Sequence, residues 1–397
     1  VDFKTIDDVN LSGKKVLVRC DLNVPLEQEA ANKYRVADDT RVRASLPTLK
    51  KLLEQGCTPL VASHLGRPKG ERNPTFSLRP VADALEALLG AKVHFAEDCV
   101  GPPVDAALSE TKPGEVLLLE NTRFHPGETE NDPAFAADLA RPSDAFVNDA
   151  FGTCHRQHAS TYGAAELLNP AVAGYLVAEE VGYFLKLLRD PARPLVFVLG
   201  GAKLSTKLGV IKNTLDKVDK FIIGGAMAYT FLKADGEPVG ESLVEDEFIN
   251  EAKGILDNAG PKLFLPRDHV VAKAADDPGS AKTVDTLGIP DGYMGVDIGP
   301  ATACIFADEV KAAATIFWNG PMGVFEVDEF AAGTRVVGKA IADADGETIA
   351  GGGDTVYAIN KLGIAEKLDH ISTGGGASLK LLENGTLPCL EVLDRVK

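Results

Sequence analysis

The sequence predicts an α/β protein of two domains, each a parallel sheet flanked by helices. Short apolar runs alternate with longer amphipathic stretches along the whole chain, the pattern of βαβ units. The residues richest in chemistry gather just after those runs, where open parallel sheets hold ligands. At 397 residues the chain also exceeds what a single hydrophobic core ordinarily fills.

In the first half, strands are expected at 15–19 (KVLVR), 59–63 (PLVAS), 92–95 (KVHF), 115–120 (EVLLLE) and 144–149 (DAFVND). Helical stretches fall at 48–55 and 78–89, the second closed by Gly90. Over 169–190, the turn-forming NPAVAG precedes AEEVGYFLKLLRDPARP, one helix stopped by a proline-rich turn. We place the boundary here, with residues 1–175 in the first domain, 176–384 in the second and a linker helix at about 176–190. Strands of the second domain are expected at 194–199, 220–223, 292–298, 315–318, 347–350 and 370–373. No unit of 20–50 residues recurs, which excludes a solenoid.

With 41 Lys+Arg against 58 Asp+Glu, the formal net charge is −17. That argues against nucleic acid or an anionic membrane as partner, since both need a positive footprint. The six cysteines (Cys20, Cys57, Cys99, Cys154, Cys304, Cys389) form no CxxC pair, so no disulfide framework or thiolate zinc site is signalled. The start lacks a signal-like apolar region, and no apolar stretch approaches the ~20 residues of a membrane span. A cytoplasmic protein is expected.

After its strands the first half carries RCDLNVP, SHLGRP, ENTRFHPGE and NDAFGTCHRQH, each with Arg or His. Five of the seven histidines lie between positions 64 and 158. Arginine grips phosphate or carboxylate through a planar fork, so four loops delivering it to one sheet edge make a bowl for a small, multiply charged anion. The plain alternative, surface charges that happen to fall on loops, suits one loop better than four in succession. Lys69 reads as solvated.

The second half follows its strands with GGAKLSTK, GGAM, NGPMGVFE, GGGDT and TGGGAS. Glycine lets backbone approach a ligand, and helix starts offer free N–H groups to phosphate, so these junctions point to a nucleotide. Neither GxxxxGK[ST] nor GxGxxG with a following acidic residue is present, which excludes the common P-loop and dinucleotide-binding types. Lys203 and Lys207 share a face if a helix begins near Leu204, and both can reach phosphate. Asp354 is either a helix N-cap or a Mg²⁺ ligand. Trp318, the sole tryptophan, reads as a core aromatic.

These motifs, in this order from residue 19 to residue 378, closely resemble those of the phosphoglycerate kinase family. The resemblance implies two Rossmann-like domains joined by a linker helix across a deep cleft, in a monomer. It implies that the first domain binds 3-phosphoglycerate or 1,3-bisphosphoglycerate through Asp21, Asn23, Arg41, His64, Arg67, Arg123 and Arg156. The second would bind MgADP or MgATP. Lys207, Gly225 and Gly295 would lie beside the base, Asn319 near the phosphates and Glu326 on the ribose. Gly352, Gly353, Asp354 and Thr355 would meet the phosphates and Mg²⁺, with Asp354 the metal ligand. Arg41, Lys203 and Gly353 would be catalytic, Arg41 and Lys203 flanking the transferring group from opposite domains. Residues 385–397 would return to the first domain, and Glu180 would occupy a hinge-region position. Departures are few: Cys20 and Leu22 stand where Val and Phe are common, Cys154 for Ala, and Ala226 for a third Gly.

The implied reaction is reversible, direct in-line transfer from 1,3-bisphosphoglycerate to MgADP without a covalent enzyme intermediate. Its acceptor in reverse is a carboxylate, already ionised, so no general base is needed and His64 reads as a positioning donor. The alternatives from the residues alone are a non-catalytic phosphate- or nucleotide-binding protein and an NAD-linked dehydrogenase, the latter weakened by the missing fingerprint.

Overall fold

A computed structural model of the chain describes residues 2–31 and 33–396. It divides into two units, Val1–Gly182 with Thr386–Lys397, and Tyr183–Gly385.

The first unit is built on a six-stranded sheet, every neighbouring pair parallel. Across the sheet the order is Val93–Phe95, Val116–Leu118, Thr58–Ala62, Lys15–Cys20, Ala145–Asp149 and Ala171–Ala173. Lys15–Cys20 comes first in the chain yet sits inside the sheet. The chain builds outward from it on the Thr58–Ala62 side, then returns to its other flank at Ala145–Asp149. Thr58–Ala62 and Ala145–Asp149 are buried at every position, because helices cover both faces of a parallel sheet. That is why such strands read as unbroken apolar runs rather than as alternation. The terminal segment belongs to this unit: Lys4 N–H donates to the Asp394 carbonyl (2.7 Å), and Asp394 N–H to that of Ala171 (2.8 Å).

The second unit repeats the plan. Its six-stranded parallel sheet runs Leu263–Phe264, Lys220–Ile223, Leu195–Leu199, Thr315–Asn319, Glu347–Gly351 and His370–Ser372. Leu195–Leu199 is again first in the chain, with the order reversing between it and Thr315–Asn319. Carboxyl ends of strands at such a reversal are where open α/β sheets bind ligands. Trp318, fully buried in this core, donates from Nε1 to the Gly320 carbonyl (2.9 Å).

Besides several short strands that were not expected, three elements differ from the sequence expectation in instructive ways. The first helix is Thr40–Glu54, not 48–55; Pro47 lies inside it, and buried Val42, Ser45, Thr48, Leu49 and Leu52 extend its inner stripe back past the proline. Residues 292–298 were expected with the parallel strands. Met294–Ile298 instead pairs antiparallel with His269–Ala272, in a separate three-stranded sheet that includes Lys282–Val284. An exposed hairpin, Leu26–Ala30 with Lys33–Val36, carried too little apolar character to be seen.

The helix Tyr175–Arg189 spans the division between the two units, which falls after Gly182. Its start is bound into the first unit, where Tyr175 N–H donates to Thr48 Oγ1 (2.8 Å) and Leu176 N–H to Asp149 Oδ1 (2.9 Å). Further along, Tyr183 stacks on His370 (4.2 Å between centroids) and Phe184 meets Phe317 edge-on (5.9 Å) within the second unit. Among the described residues no helix is long and apolar enough to cross a membrane.

Burial pushes the Asp149 carboxyl up to about 7, with Thr48 and the Leu176 amide acting against the shift. A carboxyl raised in the folded state contributes stability that is fully present below its unfolded pKa and is lost as pH rises through the folded value. We therefore expect Asp149→Asn to melt with a shallower pH dependence than the parent between pH 6 and 8. Calorimetry at matched ionic strength checks this; parallel curves would show that Asp149 does not titrate there.

Candidate functional site

In the first unit, loops from neighbouring strands are tied together before any ligand is considered. The Leu22 amide donates to Ser63 Oγ (2.9 Å), and the Gly66 amide to Asn23 Oδ1 (2.9 Å). Arg123 donates from Nη1 to the Gly66 carbonyl (2.9 Å), which joins a third loop to the same point. Gly66 has φ +60°, and a Cβ there would run into the Phe76 ring, so glycine is required for this close approach. Arg41, in the first turn of Thr40–Glu54, pairs with the nearly buried Asp21.

Arg67 and Arg156 are exposed, Arg123 and His64 buried. Burial lowers Arg123 to about 10, followed by repulsion from Arg19, Arg156 and Arg67 in that order, with Arg19 ahead of a partial offset from Glu128. His64 is held well below its ordinary range by burial first, then by Arg19, Arg123 and Arg41. His158 falls to about 4 for the same reasons, burial leading and Arg123 next. The structure thus gathers Asp21, Asn23, Arg41, His64, Arg67, Arg123 and Arg156 at one edge of one sheet.

Arg19, the arginine of the motif RCDLNVP, was given no site role in the sequence, yet the structure makes it central. It lies within the strand Lys15–Cys20 and is fully buried. Its Nε donates to Ser160 Oγ (2.8 Å), its Nη1 to the Cys20 carbonyl, and its Nη2 to His64 Nδ1 (3.0 Å). Ser160 in turn donates from Oγ and from its amide to the buried carboxylate of Glu128 (2.6 and 2.9 Å). A guanidinium has no lone pair to offer, so His64 Nδ1 is the acceptor. The single proton of the neutral ring therefore sits on Nε2, as a donor. The signal in the sequence was a charged residue inside an apolar strand, KVLVRC.

The second unit holds two adjoining cavities at its strand-order reversal. One, of about 360 Å³, is lined by Lys203, Lys207, Asn319, Gly352, Gly353, Asp354 and Thr355 among others. The other, of about 280 Å³, is lined by Gly225, Gly295, Tyr229 and Glu326, and shares Gly201, Ala202 and Asp354 with the first. Every residue expected in the second domain's site lines one of the two, but Lys207, expected beside the base with Gly225 and Gly295, lines the first cavity and not theirs. At Gly225, φ is +64° and a Cβ would lie 2.5 Å from the backbone of Gly201, so no other residue fits.

The polar groups here face the first cavity with few internal partners. Asn319, 2% exposed, donates from Nδ2 to the Gly351 carbonyl (2.6 Å), while its buried Oδ1 has no partner. Thr355 Oγ1 accepts from Gly320 N–H (2.8 Å). Gly352, at φ +99°, caps the helix Gly353–Leu362, so the N-cap reading of Asp354 does not hold. Asp354 lies one residue into that helix, exposed, and its carboxylate makes no hydrogen bond among the described residues. Burial pulls Lys207 down to about 8, opposed by Asp354. The loop TGGGAS also contributes, through Gly375 and Gly376 at the start of Gly376–Asn384, neither of which the sequence singles out.

One sheet edge that collects guanidiniums and another that offers helix starts, lysines and a free carboxylate define a small-molecule phosphotransferase. The family model for phosphoglycerate kinase matches residues 6–385. The chain is 51% identical over 393 residues to the phosphoglycerate kinase of Rubrobacter xylanophilus, covering 99% of this chain and 98% of that one. With that of Moorella thermoacetica it shares 53% over 387 residues, 97% of each. Among solved structures, the phosphoglycerate kinase of Coxiella burnetii superposes with a TM-score of 0.87 at 38% identity, covering 98% of both chains. That of Pyrococcus horikoshii gives 0.82 at 32%, again over 98% of both. The chain belongs to the phosphoglycerate kinase family. Its activity is the family's, that of a glycolytic, ATP-binding phosphotransferase.

Lys207 loses its charge in the free protein as pH passes about 8. A nucleotide phosphate favours the protonated amine, so ADP affinity is expected to fall by up to about tenfold per pH unit above that point. Lys207→Arg should bind with little pH dependence up to pH 9.5. Titration calorimetry across pH 7–9.5 decides, and an equal decline in both proteins removes Lys207 from the phosphate site. For Arg19, we expect nitrogen NMR to find His64 as the Nε2–H tautomer, and Arg19→Lys to mix the two tautomers while raising KM for the acid substrate more than it lowers kcat. An unchanged tautomer in the variant would leave Arg19 without a positioning role.

Proposed function

We propose that the first unit binds 3-phosphoglycerate or 1,3-bisphosphoglycerate and the second binds MgADP or MgATP, with the site residues acting as follows. Arg41, Arg67, Arg123 and Arg156 hold the acid substrate's anionic groups, and His64 donates to it from Nε2. Asp21 orients Arg41, and Asn23 fixes the Gly66 turn. The observation that carries this reading is the crowding of these cations around His64 and Arg123, which an anion would relieve.

For the nucleotide, Gly225, Gly295 and Glu326 line the cavity suited to base and ribose. Lys207, Asn319, Gly352, Gly353 and Thr355 serve the phosphates in the larger one. An oxygen-seeking divalent cation fits the donors present: the Asp354 carboxylate is unbonded, and the phosphates themselves complete such a site. Asp354 would hold Mg²⁺, whose contribution when bound is to neutralise phosphate charge.

The reaction suits this inventory. An acyl phosphate gives its phosphoryl group to ADP, and in reverse the nucleophile is a carboxylate ionised at neutral pH. Proton transfer is therefore not required, and a neutral His64 whose Nδ1 is already engaged is no defect. The work is in-line positioning and stabilisation of charge spread over the equatorial oxygens. Arg41, Lys203 and the amides opening Gly353–Leu362 are assigned that work. The space a Cβ would occupy at Gly353 is empty, which leaves room for the transferring group's oxygens.

Lys203 is exposed at the mouth of a cavity that other groups already line. Lys203→Met is therefore expected to lower kcat by roughly 10²-fold or more, with ADP affinity changed less than about threefold. A coupled assay of ATP formation from 1,3-bisphosphoglycerate and ADP, run beside calorimetry, separates the two quantities. Equal losses in both would make Lys203 a binding residue only.

A further inference from the structure

Two of the cysteines meet within the first unit although 234 residues separate them in sequence. Cys154 follows the turn Phe151–Thr153, two residues before Arg156; Cys389 lies in the short helix Pro388–Glu391 of the terminal segment. The Cys389 amide donates to the Cys154 carbonyl (3.2 Å), and the Cys389 thiol to the carbonyl of Arg156 (3.2 Å). The Cys154 thiol lies 3.5 Å from the Ala150 carbonyl and is within hydrogen-bonding reach of the Cys389 sulfur. Both residues are free thiols with no exposed surface. A backbone hydrogen bond between two residues sets their Cα atoms in the range a disulfide spans, about 4.4–6.8 Å.

We propose that Cys154 and Cys389 are a modifiable dithiol, which small-molecule disulfides oxidise to a single bond that staples the terminal segment to the loop of Arg156 and weakens acid-substrate binding there. The second half of this statement rests on the reading of Arg156 given above. The first half rests on the cysteines alone.

In the closed protein the pair is protected. The neighbouring Cys389 sulfur, and then burial, hold the Cys154 thiol well above its ordinary range. Reaction needs the terminal segment to lift, which frees buried Leu387, Leu390 and Leu393 and breaks backbone links that include Asp394 to Ala171, Lys4 to Asp394, and Val396 to Asp2 (3.2 Å). Once lifted, the Cys389 thiolate attacks the small disulfide, forming a mixed disulfide and releasing one small thiolate. Cys154, deprotonated in turn, attacks the protein sulfur of that adduct and releases the second. The two protein sulfurs lose two protons and two electrons; the small disulfide takes up both electrons and leaves as two thiols. The bond removes the thiol hydrogen that Cys389 gives to the Arg156 carbonyl, so the loop loses a contact as it gains a tether.

The test is incubation of the full chain with oxidised glutathione, followed by non-reducing peptide mapping and steady-state kinetics. We expect one cross-linked peptide pair joining Cys154 to Cys389, an intact mass lower by about 2 Da, and a KM for 3-phosphoglycerate raised about threefold with kcat nearly unchanged. Dithiothreitol should reverse both effects. Cys154→Ala and Cys389→Ala should each show neither. Failure to form this link under conditions that let the segment open (dilute urea), or glutathione carried only on exposed Cys304, overturns the proposal. Arg156→Ala in reduced protein checks the site reading independently. If that variant leaves KM unmoved, Arg156 is not a substrate residue and only the cross-link stands. If it raises KM but the cross-linked parent does not, the coupling is wrong.

Discussion

Arg19 donates to Ser160, and Ser160 donates to Glu128, a carboxylate with no exposed surface. On this relay depends whether a cluster of guanidiniums can be assembled in the first unit at all. Like charges brought together and partly desolvated repel one another, and the response is visible in the lowered Arg123 and the strongly lowered His64. A fully buried arginine beneath the cluster adds to that cost, unless each of its donors is used and a negative charge lies close. Here the fork is filled by Ser160, Cys20 and His64, and Glu128 supplies the charge one hydroxyl away. The net charge of −17 does not help, since distant surface carboxylates are screened within about 10 Å of water and salt.

The second unit meets the same problem with different means. A phosphate chain can be held by backbone amides, which carry no net charge and cost nothing in mutual repulsion. The helices that start at Gly353 and Gly376 present their free amides to the larger cavity, and the glycines before them let the chain turn sharply into each helix. Lys207 shows why amides are the better choice in the deeper part of the site. Asp354 opposes the shift, and burial still brings the lysine to about 8. More lysines placed so deep would arrive uncharged, whereas amide dipoles do not titrate. On the proposed reading the two units would divide by ligand: guanidiniums for a compact acid with phosphate and carboxylate ends, fixed dipoles for the longer nucleotide.

Most of this architecture could be read from the sequence, because a parallel sheet buried on both faces leaves apolar runs that nothing else imitates. Every strand of the two large sheets longer than three residues had been expected within a residue or two of its observed place. What escaped was of four kinds. Edge pieces such as Ala171–Ala173 and Leu263–Phe264 are too short to show a period, and the hairpin at Leu26–Val36 is polar on both faces. Met294–Ile298 reads like its parallel counterparts, and only partner choice, a tertiary matter, makes it antiparallel. The role of Arg19 was hidden for a subtler reason: the motif RCDLNVP reads as a loop carrying its arginine toward a ligand, whereas Arg19 lies within the strand, buried, and acts through Ser160 and His64. The division after Gly182 was equally beyond the sequence, since a continuous helix gives no compositional break where its packing partners change.

His64 draws these threads together. Imidazole in an active site invites a proton-transfer role, and its ordinary pKa would suit one. Here three arginines and burial remove its charge, while Arg19 fixes its tautomer, leaving a ring that can give one hydrogen bond from Nε2 and take no proton within reach of neutral pH. An enzyme that needed a base could not tolerate this arrangement, because the cations required to bind the acid would disable the base beside them. Phosphoryl transfer to a carboxylate escapes the conflict, since its nucleophile arrives already deprotonated. If the bowl holds the acid substrate as proposed, the crowded cations and the silent histidine are two consequences of one chemical fact, the ionised state of the acceptor.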